Sequence, residues 1–290
     1  MEFDPYLYVA FLIGLLAGRV LRPHSPWVGR ATLVTIGVLV GLLGASLAAV
    51  PVDRLLLTIP LSLAFAALIL VLTIGAYALL IRWSPGAETT ATGPRPRTNE
   101  RVPLSLLLLA ALLGGYALGR VIVLPTAAAI PWALYAMLAL VAFDLKLRTA
   151  ALRRLWVPLT AAVAGAIAAA AVFVLLTSTS ATVALATTFA FGWYTLAGPL
   201  VGARAGAVLG LLAFSTNFLR EDLTMLLSPV FGRRLRGEGL VAMGGATSMD
   251  TTLYFVTRYG DADAGSLALA SGLVLTVVAS LVLPALLALA

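Results

Sequence analysis

Apolar residues run along this chain in blocks of bilayer length, separated by short polar connections. In order, Tyr6 to Leu21, Ala31 to Val50, Leu55 to Ile81, Leu104 to Leu124, Pro131 to Leu147 and Leu155 to Thr177 are predicted spans. A run of about 18 or more apolar residues crosses a hydrocarbon core about 30 Å thick, and a helix satisfies its own backbone while doing so. The blocks do not alternate in polarity as the strands of a membrane β-barrel do. Between the third and fourth lies Arg82 to Arg101, a hydrophilic linker rich in Pro and charge and long enough to be disordered. The opening residues, Met1 to Tyr6, are acidic rather than basic, so the first apolar run reads as a retained span and not a cleaved leader.

The last third breaks this rhythm twice. Thr182 to Phe191 is apolar, and then Gly192, Trp193, Tyr194, Gly198 and Pro199 interrupt it; Val241 to Thr252, with Gly244, Gly245, Thr247, Ser248, Asp250 and Thr251, does the same. Gly and Pro weaken the helical ladder, and backbone groups freed at membrane depth must line a cavity or be buried in protein. These stretches are expected to be re-entrant or broken helices, 182 to 200 entering from outside and 239 to 257 from inside, each followed by a full span, 205 to 231 and 265 to 289. The fold class is all-α, a polytopic membrane protein with eight full crossings plus two broken segments. Counting both interrupted segments as crossings gives ten.

Leu-Ala-Gly-Arg-Val at 16 to 20 recurs as Ala-Leu-Gly-Arg-Val at 117 to 121, about a hundred residues on. With three spans per copy, the second copy inserts upside down, an inverted-topology repeat of the kind that places substrate sites near the bilayer midplane. Chance recurrence of Gly-Arg at the end of Leu/Ala-rich spans is the alternative. The expected organisation is 1 to 81, first repeat; 82 to 103, cytoplasmic linker; 104 to 177, second repeat; and 178 to 290, the substrate and ion region. Arginine concentrates in the connections 22 to 30, 82 to 101, 146 to 154 and 233 to 236, and the intervening ones carry one basic residue or none. By the positive-inside rule both termini then face outward from the cell membrane.

Composition narrows the function classes. Of 290 residues 61% are hydrophobic and 11% charged, and the mean hydropathy is +1.06, values of an integral membrane protein. The net charge of +7 lies in inter-span loops and therefore reflects topology, with no nucleic acid implied. There is no cysteine, and the one histidine, His24, lies in a loop, so thiolate metal sites and Ser-His-Asp hydrolysis have nothing to work with. Neither an enzyme nor a cofactor is expected.

The chemistry concentrates in Asn217 to Pro229, inside the apolar run Ala205 to Phe231. Arg220, Glu221 and Asp222 fall near the middle of a bilayer-length helix, where a charge costs roughly 2.5 to 3.5 kcal/mol on insertion scales and normally serves an ion or substrate path. Adjacent residues point about 100° apart, so Glu221 and Asp222 do not share one narrow cavity. Glu221 shares its face with Asn217 and Thr224 and is the expected cavity carboxylate, with Arg220 as a structural countercharge the bland alternative; Asp222 is expected to pair with Arg220 or Arg204. Asp250 follows a run offering hydroxyl oxygens from Thr247, Ser248 and Thr251 and reads either as a ligand or as a cap of the next helix. Asp144 with Lys146 at the end of span five reads as an interfacial pair or a proton relay, and Trp193 and Tyr194 as gate or interfacial aromatics. A carboxylate in a low-dielectric cavity has a raised pKa and exchanges a proton for a cationic ligand, the minimal chemistry of a proton-coupled antiporter.

Gly192-Trp193-Tyr194, Asn217 with Arg220-Glu221, Pro229 with Arg233-Arg234, and Gly244 to Leu253 together resemble the signature of the LysO-type lysine exporter family. The resemblance is densest over 182 to 283 and extends to the first half through span layout. It implies export of L-lysine and toxic lysine analogues from the prokaryotic cytoplasm, with functional acids inside membrane spans. Glu221 occupies the position of one such acid; the family's other acid, near the end of span two, has no counterpart in Leu43 to Val50, and Asp53 is the nearest candidate. A proton is the expected coupling ion, with Na+ the alternative. The partners expected are L-lysine and the lipid bilayer, with a homodimer among the compatible assemblies. Two other readings stand beside it: a monovalent cation/proton antiporter or exporter of another cationic amino acid, and a membrane-embedded enzyme or channel. The last has neither a nucleophile and base pair nor a continuous polar pore lining.

Overall fold

The computed structural model describes residues 5–21, 26–48, 52–82, 104–144, 149–177, 179–232 and 234–289, so the linker after Arg82, His24 and Lys146 lie outside the described residues. The described residues form helices and turns with no strand. They are α1 (Pro5–Leu21), α2 (Pro26–Leu47), α3 (Val52–Arg82), α4 (Leu104–Val121), α5 (Thr126–Asp144) and α6 (Trp156–Thr177). The last third holds α7 (Ala181–Thr188), α8 (Tyr194–Ala205), α9 (Ala207–Phe231), α10 (Gly237–Gly244), α11 (Leu253–Tyr259) and α12 (Ala264–Ala288). Short 3-10 turns at Thr149–Arg154 and Gly245–Met249 precede α6 and follow α10.

Four helical runs, Val28–Ser46, Thr58–Arg82, Ala151–Thr177 and Ala264–Ala288, are long and apolar enough to cross a bilayer by length and composition. Val9–Val20, Leu107–Val121 and Ala128–Phe143 are shorter apolar helices, and α9 has the length but carries the three central charges. This is an all-α polytopic membrane protein. Span five begins earlier than its proline suggests: α5 starts at Thr126 with Pro131 inside it.

Contacts divide the chain into two units that interleave in sequence. One comprises Met1–Leu55 and Arg97–Lys146, the other Leu56–Pro96 and Leu147–Ala290. In the first, α1 packs on α5 and α2 on α4, with α2 also meeting α5. These helices approach through glycine. A Cβ at Gly14 or Gly18 would strike the backbone of Ala139 or Phe143, and one at Gly115 or Gly119 the backbone of Gly41 or Ala45. Small residues let helices close to backbone distance in a medium without a hydrophobic drive between them.

The second unit gathers at one end the start of α6, the end of α9 and the junctions around α10, α11 and α12. Arg154 Nη1 lies 2.6 Å from Glu238 Oε1 at the start of α10, and its Nη2 2.8 Å from Asp263 Oδ2 before α12. Gly237 N–H donates to Asp261 Oδ2 at 3.3 Å, and Gly232 closes against Tyr259. Helices of 22 and 25 residues, α6 and α9, span about 33 and 37 Å at 1.5 Å per residue. Thr177 and Gly206 therefore lie at the opposite end. It follows that α7 and α8 enter and leave at the Gly206 end, whereas α10 and α11 enter and leave at the Arg154 end. Both are helical hairpins that penetrate and return. Around them, α3 and α6 pack through Phe65 and Phe173, with ring centroids 4.0 Å apart, and through Thr73 against Gly165.

The glycine contacts make a local prediction in the first unit. Gly114 has nothing within 4 Å of an added Cβ, while its neighbour Gly115 meets the Gly41 backbone. Gly114→Ala is expected to leave thermal stability within about 0.5 kcal/mol of native, and Gly115→Ala to lower it by about 1–3 kcal/mol, the cost of overpacking. Melting of the two purified variants in detergent reads the difference; equal melting temperatures would contradict the close α2–α4 approach.

Candidate functional site

The two hairpins meet at their breaks, and both breaks need glycine. Residues 189–193 separate α7 from α8, with Phe191 at φ 51° and Gly192 at φ 98°, and α10 ends at Gly245 with φ 64°. Positive φ is strained for residues with a Cβ. At Gly245 a Cβ would also meet the Phe191 carbonyl and the Arg220 guanidinium. The breaks are joined directly: Ala246 N–H donates to Phe191 O at 3.0 Å.

One face of α9 holds this crossing. Asn217, fully buried, accepts from Gly192 N–H at 2.9 Å through Oδ1 and donates through Nδ2 to Thr187 O at 2.8 Å and Ala213 O at 3.0 Å. Arg220 Nη2 donates to Ala242 O at 3.4 Å, and Thr224 Oγ1 lies 3.3 Å from Met243 O and 2.8 Å from Arg220 O. Positions 217, 220 and 224 follow the i, i+3, i+7 spacing of one helical face. Gly245 N–H donates to Val241 O and the Thr247 hydroxyl to Gly244 O at 3.0 Å, so Val241, Ala242 and Gly244 each have a donor, while Met243 O is within reach of the one Thr224 hydroxyl proton, which Arg220 O also attracts.

Hydroxyls read from the sequence as ligand oxygens mostly serve the break itself. Ser248 Oγ lies 2.8 Å from Gly245 O and 3.0 Å from Ala268 O, and Thr252 Oγ1 donates to Thr247 O at 2.9 Å. Thr251 differs: its hydroxyl donates to Asp250 Oδ1 at 3.1 Å and also lies beside the Glu221 carboxyl. Asp250 receives Thr251 N–H at 2.6 Å on its carboxylate and Leu253 N–H at 3.1 Å on its carbonyl, just before α11, and lies within electrostatic reach of Glu221. α11 is capped at Thr252 with no side-chain bond, so the Asp250 carboxylate is not its cap.

Glu221 and Asp222 are 3% and 4% exposed, and Glu221 Oε1 and Asp222 Oδ2 lack a hydrogen-bond partner in the structure. Asp222 does not pair with Arg220 or Arg204; among the described residues no carboxylate forms an ion pair with Arg220, because its guanidinium turns toward the α10 carbonyls. Half-buried Tyr194 lies within electrostatic reach of Glu221, Asp222 and Asp250, its ring edge-on to Phe214 and Phe218 at 5.2 and 5.3 Å. Trp193 precedes it as the α8 cap residue, packed against the hydrophobic core.

Other candidates fall elsewhere. Asp53 is exposed in the first turn of α3, and Asp144 ends α5. Gly198 lies on the α8–α9 contact, where an apolar groove of about 480 Å³, lined by Gly198, Pro199, Gly202, Gly210 and Phe214 among others, contains none of the acids. Gly244 packs against Thr252. Among the described residues no cluster of His, Cys, Asp and Glu is arranged to hold a metal ion. The role of Arg220, the aromatic brace of Tyr194 and the Arg154 cluster were not read from the sequence. The 217, 220, 224 spacing was the available sign of the first.

With all its polar atoms engaged by backbone, Asn217 acts as a clamp. Asn217→Ala is expected to cost about 2–4 kcal/mol, since it leaves a buried N–H and carbonyl without partners. Thermal unfolding of the detergent-solubilised protein measures it, and a loss under about 0.5 kcal/mol would contradict the clamp.

Comparison with known proteins agrees with the sequence signature. The family model described as "Lysine exporter LysO" matches residues 109–287. The chain is 40% identical over 105 residues to "Lysine exporter LysO" of Escherichia coli (strain K12), covering 36% of this chain and 33% of that protein. It is 30% identical over 99 residues to "Putative lysine exporter" of Haemophilus influenzae, covering 34% of this chain and 50% of that protein. The matched segments thus span a third to a half of these relatives. No solved structure matches. With the family model matching well over half its length, the chain belongs to the LysO lysine exporter family.

Proposed function

We propose that this protein exports L-lysine and lysine analogues across the prokaryotic cell membrane in exchange for protons, with Glu221 as the exchanging carboxylate. The observation that carries the reading is the grouping of Glu221, Asp250, Thr251 and Tyr194 beside two broken helices that meet inside the second unit. A carboxylate withdrawn from water favours its protonated form, and an arriving ammonium group favours the ionised one. Binding the lysine side-chain amine then releases a proton, and departure of lysine on the far side lets the acid take up another. Asp250 and Thr251 supply further oxygens for the ammonium, which donates three hydrogen bonds.

The same reading includes an inverted repeat, which the pairing of small residues supports. Gly14 and Gly18 of α1 meet Ala139 and Phe143 of α5, while Gly115 and Gly119 of α4 meet Gly41 and Ala45 of α2. Each member corresponds to its counterpart about a hundred residues away, as a two-fold exchange of the copies requires. In this account the family's second acid is replaced by Asp250 rather than Asp53, which is exposed. The termini face outward, following the arginine-rich connections.

The test is efflux of radiolabelled lysine from preloaded proteoliposomes under an imposed proton gradient, comparing native protein with Glu221→Gln. Native flux that follows the gradient, and a loss of at least about 100-fold in the variant, is expected from removal of an essential proton-transfer group. Native protein that dissipates a cation gradient but moves no lysine would instead establish a cation antiporter on the same fold.

A further inference from the structure

Arg220 is a charge without an ionic partner at the centre of the second unit. It is 1% exposed, Nε and Nη1 have no hydrogen-bond partner, and Nη2 reaches only the Ala242 carbonyl. A buried charge is costly unless something of opposite sign faces it. What faces it is backbone. Gly245 has the Phe191 carbonyl and the guanidinium on the same side, within 2.6 Å and 2.8 Å of where its Cβ would stand. The last turn of α10 ends at Ala242, Met243 and Gly244, so the guanidinium sits at the negative pole of that helix, beside the carbonyl of the other break.

Carbonyl ends of interrupted helices at membrane depth are the elements from which membrane transporters build sites for free cations. Here a side chain occupies such a place. We infer that Arg220 is a tethered cation seated at the carbonyl end of α10 where the two breaks cross, that it takes the position a free coupling cation would take there, and that its removal opens a site for a free guanidinium-type cation. Arg220 is a positioning residue in this account. It fixes the crossing of the two breaks, and through it the facing of Glu221 and Asp250, without touching lysine. The transport consequence rests on the proposed exporter function; the binding consequence does not.

Two readouts separate them. In detergent, Arg220→Ala is expected to melt below native protein and to recover with low-millimolar guanidinium but not with equal sodium chloride or urea, since a ligand of the folded state raises stability by mass action. Native protein gains nothing, its site being filled, and Arg220→Lys recovers part of the loss on its own. If Arg220→Ala cannot be purified, its yield is compared with guanidinium present throughout preparation, and recovery counts as rescue. In proteoliposomes, native lysine export is expected at equal rates with and without Na+. Arg220→Ala is expected to lose at least about tenfold, the scale of one charge-assisted hydrogen bond, and to regain it with guanidinium on both sides. Absence of guanidinium-specific stabilisation or recovered yield overturns the inference, as does a strict Na+ requirement of native export. If native protein moves no lysine, the exporter reading fails, and the melting arm alone decides the role of Arg220.

Discussion

A helix interrupted at membrane depth must find partners for the carbonyls and N–H groups it frees, and the second unit is organised around that requirement. Unsatisfied, each such group costs several kcal/mol in hydrocarbon. Here two interruptions lie against each other, and α9 supplies Asn217, Arg220 and Thr224 from one face to meet them. The remaining needs are met locally, by Thr247, Ser248 and Thr252, and by the bond from Ala246 to Phe191. The buried polar atoms left without a partner on α9 belong to Ser215, Thr216, Arg220, Glu221 and Asp222.

This arrangement divides α9 into two kinds of position. The face that clamps the breaks is spent on backbone, and the adjoining Glu221, proposed as the exchanging acid, lies within electrostatic reach of Asp250 and beside Thr251. Tyr194 reaches the same acids from the start of α8, held by Phe214 and Phe218. Far from the crossing, Arg154 ties Glu238 to Asp263, so the hairpin of α10 and α11 is anchored where it enters. A hairpin fixed at its mouth and at its tip holds its break in register with the other.

The elements were legible because helix length and interruption are local properties. Apolar runs marked the long helices, and Gly192, Gly244 and Gly245 marked both breaks, two of them at positive φ. Glu221 and Asp250 stood out because an acid in an apolar run has few structural excuses, and the structure buries Glu221. What stayed hidden was direction. Nothing in the spelling of Thr247 or Ser248 distinguishes a hydroxyl offered to a ligand from one consumed by its own break, and Asn217 looked like cavity lining until its three bonds to backbone were seen. Arg220 was read as a countercharge for an acid because the neighbouring acids are adjacent in sequence, whereas adjacent positions on a helix point apart. Asp53, chosen by proximity to a family position, is exposed. Long-range partners such as Arg154 and Glu238 follow from the return of a hairpin to its entry point, which no local pattern encodes.

The central claim is that a buried acid exchanges a proton for the lysine amine. Calorimetric titration of lysine into purified protein, repeated in buffers of different ionisation enthalpy, measures it without transport. The account predicts that native protein releases a proton on binding lysine near neutral pH and that Glu221→Gln releases none. Lysine binding with no buffer dependence in the native protein would contradict it.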